Sequence, residues 1–198
     1  MANKIDICNL ALRKLNVEPI DSLNETSKGA RLCSEQYDLS RKKLLRSFYW
    51  NFATKRASLT PNGNTPAWGF SQEYDFPSDY LGLIEIKDET KDFVVEGGKI
   101  LANSDTLDIL YTFDQTSAKT FDDLFVELLA LDIAIQLAYP LLQSLNLKQE
   151  LLSEFEVILR DSRSKDTMEQ RQKANIPVND WVNMRKGGAQ TFGRLNID

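Results

Sequence analysis

Apolar positions recur every three or four residues over two N-terminal stretches, the spacing of a helix with one buried stripe. Ile5, Cys8, Leu12 and Leu15 mark the first, predicted over residues 3–15 and ended by Asn16 and Pro19. The second starts among the cap candidates between Ser22 and Thr26 and reaches about Ser47, its stripe carried by Ala30, Cys33, Tyr37, Ser40, Leu44 and Phe48. Between Trp50 and Asp114 the period changes from helical to alternating. Trp68, Phe70, Tyr74 and Phe76 fall on one face of a predicted strand, and Leu107, Ile109, Tyr111 and Phe113 repeat the pattern against Asp108 and Thr112. Shorter strands are predicted over residues 80–87, 93–96 and 99–102, the last two joined by Gly97 and Gly98, a hairpin signal.

From Phe121 to Leu142 the chain is apolar on nearly every face of a third helix, about 33 Å long at the usual rise. Such a helix needs cover on several sides, from other helices, other subunits or lipid. Asp122, Asp123, Glu127 and Asp132 interrupt it and argue against lipid. Pro140 should kink or end it one turn before Gln143. A fourth helix is predicted from about Leu147 to Gln172, with Leu151, Leu152, Phe155, Ile158 and Leu159 in its first half and an almost wholly polar second half. Residues 175–198 have no helical period and only the isolated large side chains Trp181 and Phe192, so they read as an extended C-terminal arm.

The predicted fold is therefore α+β. An antiparallel bundle of about four helices (residues 1–49 and 115–174) carries a small antiparallel sheet (50–114) between helices two and three, followed by the arm. A length of 198 residues with 42% hydrophobic content supports a real core. The N-terminus carries Asp6 where an export signal would have its apolar centre, so folding in cytoplasm without a membrane anchor is expected.

Charge is uneven. Nine basic against six acidic residues give +3 over residues 1–50, whereas six against eleven give −5 over 51–119. An acidic middle opposes broad wrapping of nucleic acid, which depends on neutralising phosphates. Histidine is absent, which removes imidazole-based triads, common metal sites and the usual proton shuttle. Cys8 and Cys33 read as buried free thiols. No phosphate-binding glycine loop, zinc-binding cysteine set or EF-hand loop occurs, and no cofactor is expected.

Three constellations are left. Asp75, Asp79 and Glu85 lie near Trp68 and Tyr74, aromatic rings that could stack on sugars, and two-carboxylate glycoside hydrolysis needs no histidine. Arg41, Lys42, Lys43, Arg46, Lys55 and Arg56 are the densest basic cluster, suited to phosphate or an acidic protein surface, or to a solvated helix C-terminus. Trp181, Arg185 and Phe192 in the arm are interface-type side chains, for which docking on another subunit competes with terminal disorder.

Several segments taken in order carry a resemblance: 7–15 (Ile-Cys-Asn-Leu-Ala-Leu-Arg-Lys-Leu), Ser22 to Ser27 leading to Ala30 and Cys33, and Tyr37 followed by Arg41. They continue with 50–57 (Trp-Asn-Phe-Ala-Thr-Lys-Arg-Ala), 74–79 (Tyr-Asp-Phe-Pro-Ser-Asp) and 121–130. Over roughly residues 4–165 the chain resembles the tail tubular protein A, or head-to-tail adaptor, family of short-tailed bacteriophages. The resemblance implies a non-enzymatic structural protein of the virion tail, assembled in the host cytoplasm. It also implies a ring of twelve copies beneath the portal with the tail nozzle below, and double-stranded DNA passing through the lumen. Arg41, Lys42, Arg46, Lys55, Arg56, Trp181, Arg185 and Phe192 are the residues expected to meet the portal, the nozzle or a neighbouring subunit. The alternative is a glycoside hydrolase acting on host surface polysaccharide.

Overall fold

Four α-helices and two antiparallel sheets make up the computed structural model, which describes residues 2–87 and 92–170. Helix α1 (Lys4–Lys14) opens with a reciprocal cap: the Asn3 side chain accepts from the Asp6 backbone N–H at 2.9 Å, and the Asp6 carboxylate accepts from the Asn3 N–H at 3.0 Å. Helix α2 (Lys28–Ser47) is capped by Ser27, whose hydroxyl accepts from Ala30 N–H at 3.2 Å. The cap candidates at Ser22 to Thr26 thus precede the helix. There the Glu25 carboxylate takes the Asp21 and Ser22 N–H groups at 2.6 Å each and holds a turn.

Helix α3 (Asp123–Leu142) starts at Asp122, whose carboxylate accepts from Leu124 N–H at 2.9 Å. By length and composition it could cross a membrane. In this fold α1, α2 and α4 (Leu145–Gln170) pack around it and bury Phe125 and nearly every apolar residue to Ala138. Phe121, Phe125, Leu128 and Ile135 all point into the chain's own core, and of the large residues on α3 it is Tyr139, 54% exposed, together with Leu142, that faces outward. Pro140 does not end the helix. It removes the donor to the Gln136 carbonyl, but it sits in the last turn with only Leu141 and Leu142 of the helix still to follow, and its own carbonyl accepts from the Lys28 ammonium. The helix stops at Gln143, which takes a left-handed φ of 54° and donates to the Tyr139 carbonyl at 2.9 Å. A side chain costs roughly 1 kcal/mol in that conformation. Gln143→Gly is therefore expected to stabilise the fold by about 0.5–1 kcal/mol, read as a raised urea midpoint at unchanged slope.

The strands form two sheets rather than one. In the first, β1 (Thr54–Leu59) and β3 (Tyr80–Ile86) flank β6 (Leu107–Phe113); in the second, β2 (Gln72–Asp75) and β4 (Phe93–Glu96) flank β5 (Lys99–Ala102). The sheets share a core in which Tyr74, Ile100 and Ala102 of the second meet Ile86, Leu107, Ile109 and Tyr111 of the first. Gly97 and Gly98 turn the β4 to β5 hairpin with φ of 57° and 78°, the left-handed pair that a two-residue hairpin demands. The predicted strand through Trp68 and Phe70 is corrected: Gly69 turns at φ 86°, β2 is only four residues long, and Trp68 is 86% exposed. Tyr74 keeps its inward place. Phe76 lies beyond the strand and stacks on Tyr80 with ring centroids 3.8 Å apart.

Entry to and exit from the inserted strands lie side by side. Two short 3-10 turns, Asn51–Ala53 and Ala118–Thr120, connect the strands to the helices. Around them Trp50, Phe52, Phe121 and Phe125 pack ring against ring, with centroids 4.9 to 6.1 Å apart.

Candidate functional site

The basic cluster lies where the helices meet the inserted sheets, but most of its charge is used internally. Arg41 follows Tyr37 by four residues and precedes Leu44 by three, so it falls on the buried stripe of α2 and is 2% exposed. Its guanidinium donates to the Asp114 carboxylate, to the Gln115 carbonyl at 2.8 Å and to Asp38 at 3.3 Å. Lys42 reaches the other Asp114 oxygen at 3.4 Å. Asp38 also holds Lys4 at 3.0 Å. Burial raises the Asp38 pKa, but the bonds from Lys4 and Arg41 outweigh it and hold the carboxyl below its ordinary range.

Lys43 turns the other way and donates to Asp132 at 2.6 Å, the buried carboxylate of α3. Lys55 on β1 donates to Asp79 at 2.7 Å and lies 3.8 Å from the centre of the Phe113 ring. Arg46 and Arg56 remain on the exposed surface. Four of the six basic residues are thus ion-paired within the chain, and sequence order alone had joined Lys55 and Arg56 to the helix cluster. Trp181, Arg185 and Phe192 lie outside the described residues. Asp114 and the Gln115 carbonyl, the acceptors that fix Arg41, were not singled out from sequence. The apolar spacing around Arg41 was the available signal that this cation is buried and needs an acceptor.

The three carboxylates considered for hydrolysis do not share a site. Asp75 is on the second sheet, where Lys99 holds it, while Asp79 precedes β3 and Glu85 is exposed on β3 of the first sheet. Lys99 first, then Asn62, draws the Asp75 pKa down. Asp79 is lowered chiefly by Lys55, against burial, with the Tyr111 hydroxyl donating at 3.0 Å. The Tyr111 hydroxyl is itself pushed up to about 12 by burial and by this carboxylate. A general acid needs the opposite shift. Among the described residues, no group of three or more His, Cys, Asp or Glu is placed to hold a metal ion. Cys8 and Cys33 are buried between α1 and α2, and contact with Cys33 together with burial pushes the Cys8 thiol up.

The pairing of Asp79 has a pH signature. Its folded pKa lies below its unfolded value, so the stabilisation is present above about pH 4 and lost as pH falls through the folded value. Lys55→Met should thus be less stable than the parent at pH 7, with the gap narrowing as pH falls below about 4. Urea midpoints followed from pH 7 downward measure this, and a gap that does not narrow at all would assign the effect to lost packing on Phe113.

No protein-family model matches the chain, and no curated protein matches it.

Proposed function

We propose that this chain is a ring-forming adaptor of a phage tail, seated between portal and tail nozzle and leaving a lumen through which double-stranded DNA passes. The observation that carries this reading is the position of the insert. The helical bundle is interrupted between α2 and α3 by the β strands, and α3 is enclosed by the chain's own helices, the arrangement that the resemblance over residues 4–165 implies. The described surface offers contact points of the kind a ring needs: Tyr139, Leu142 and Leu145 expose apolar area at the turn between α3 and α4, and β4 is open at its edge. Of the six residues of the basic cluster, Arg46 and Arg56 are the exposed cations left to meet an acidic partner. The hydrolase alternative gains no support, since Asp75 and Asp79 are both held as carboxylates by lysines.

Electron microscopy or native mass spectrometry of the full-length protein, alone and mixed with a portal, tests the reading. Rings attached coaxially to the portal are expected. A monomer in both conditions would overturn it. Reducing-sugar release from polysaccharide by the wild type and by Asp79→Asn should stay at the same background.

A further inference from the structure

We infer that Cys8 and Cys33 form a cross-linking site: under a peroxide oxidant their thiols join as an intrachain disulfide that ties α1 to α2. The inference goes beyond the adaptor reading and does not depend on it.

These are the only two cysteines of the chain, and the packing of α1 on α2 sets them face to face. Three successive helical turns fix the register. Leu12 covers Gly29, its nearest methyl carbon 3.6 Å from where a Cβ would stand. One turn along each helix, Cys8 meets Cys33, and both are fully buried. One turn further, the Lys4 ammonium lies 4.5 Å from the centre of the Tyr37 ring and 3.0 Å from Asp38. Each step goes four residues back on α1 and four forward on α2, so the two helices run antiparallel and these positions line their shared seam.

The spacing of such a seam suits a disulfide. Packed helix axes lie about 8–10 Å apart, and with a Cα radius of about 2.3 Å on each side, facing Cα atoms come to roughly 4–6 Å. A disulfide spans about 4.4–6.8 Å between Cα atoms. Packing alone asks only for small apolar side chains here, whereas two thiols in register also make a reactive pair.

The Cys8 thiol donates to Cys33, a bond that favours the Cys33 thiolate against the opposing effect of burial and makes Cys33 the attacking sulfur. That thiolate attacks one oxygen of hydrogen peroxide and breaks the O–O bond, becoming a sulfenic acid. The hydroxide released takes up the proton that Cys33 gave up and leaves as water. The Cys8 sulfur then displaces hydroxide from the Cys33 sulfur, and that hydroxide leaves with the Cys8 proton as a second water. Two thiols give up two electrons, and one peroxide is reduced to two waters. Because both sulfurs are buried, the reaction waits on a transient lift of α1, an N-terminal helix of 11 residues.

The test is to treat the full-length protein with hydrogen peroxide, folded and in parallel unfolded in urea, and to follow the intact mass and peptide map without reductant. The folded chain is expected to become lighter by two hydrogen atoms, with the peptides carrying Cys8 and Cys33 joined, and dithiothreitol should reverse both changes. At a fixed urea concentration the unfolded-to-folded ratio of the linked chain should fall roughly tenfold to a hundredfold, the effect of closing a loop of this size in the unfolded state. Cys33→Ala and Cys8→Ala should each abolish the loss of mass and the gain in stability. Oxygen added to either sulfur without a link, links between chains, or a link that forms only in urea would overturn the inference. So would a linked chain that unfolds more readily than the reduced one, and so would two thiols still free in the folded chain after the unfolded one has reacted.

Discussion

Trp50→Ala is expected to destabilise the folded chain by about 3–5 kcal/mol, the range for deleting a large buried ring. Trp50 is buried against Phe125 at 5.1 Å and Phe48 at 5.4 Å, both edge-on, and its indole N–H donates to the Leu44 carbonyl at 2.9 Å. The ring joins the end of α2 to the start of α3, so its loss opens a cavity where the two helices and the insert meet. Trp50→Phe keeps most of the packing and gives up the hydrogen bond, a change of about 1 kcal/mol beyond the volume lost. Urea unfolding of both variants measures the difference. A small and equal effect of the two would mean that the site collapses around the deletion.

The second large effect is at Arg41. Arg41→Met retains a long side chain but leaves Asp114 and the Gln115 carbonyl without their main donor, at a cost of about 3 kcal/mol, the low end for breaking a buried pair. The low end applies because Lys42 still reaches Asp114 at 3.4 Å. Arg41→Met with Asp114→Leu should recover most of that loss, because an apolar pair leaves no uncompensated charge. Additive losses in the double variant would show that the side chains act separately.

These residues also show why parts of the fold were legible in the sequence and others were not. Helices α1 and α2 follow from side chains repeating at helical spacing, α3 from a long apolar run, β6 from alternation, and the β4 to β5 hairpin from Gly97 and Gly98. The division into two sheets was not legible, since strand partnership is settled by contacts between residues far apart in the chain. Trp68 failed as a strand residue because alternation was counted across Gly69, whose positive φ breaks it. The site was less legible than the fold. A run of Arg41, Lys42, Lys43 and Arg46 looks uniform in one dimension, yet the helical rotation sends Arg41 to Asp114, Lys43 to Asp132 and Arg46 to solvent.

Arg41 and Asp114 are 73 residues apart, and Lys43 and Asp132 are 89 apart, so the helical bundle must close a long loop before α2 can meet α3. Closing a flexible loop of that length costs about 4 kcal/mol in chain entropy, before any contact is rewarded. Antiparallel pairing of β1 with β6 removes most of that span by bringing Thr54 opposite Thr112. In the folded chain the two helices are therefore tied through the paired ends of the insert, where Phe52 and Phe121 meet, rather than through an open loop of 73 residues.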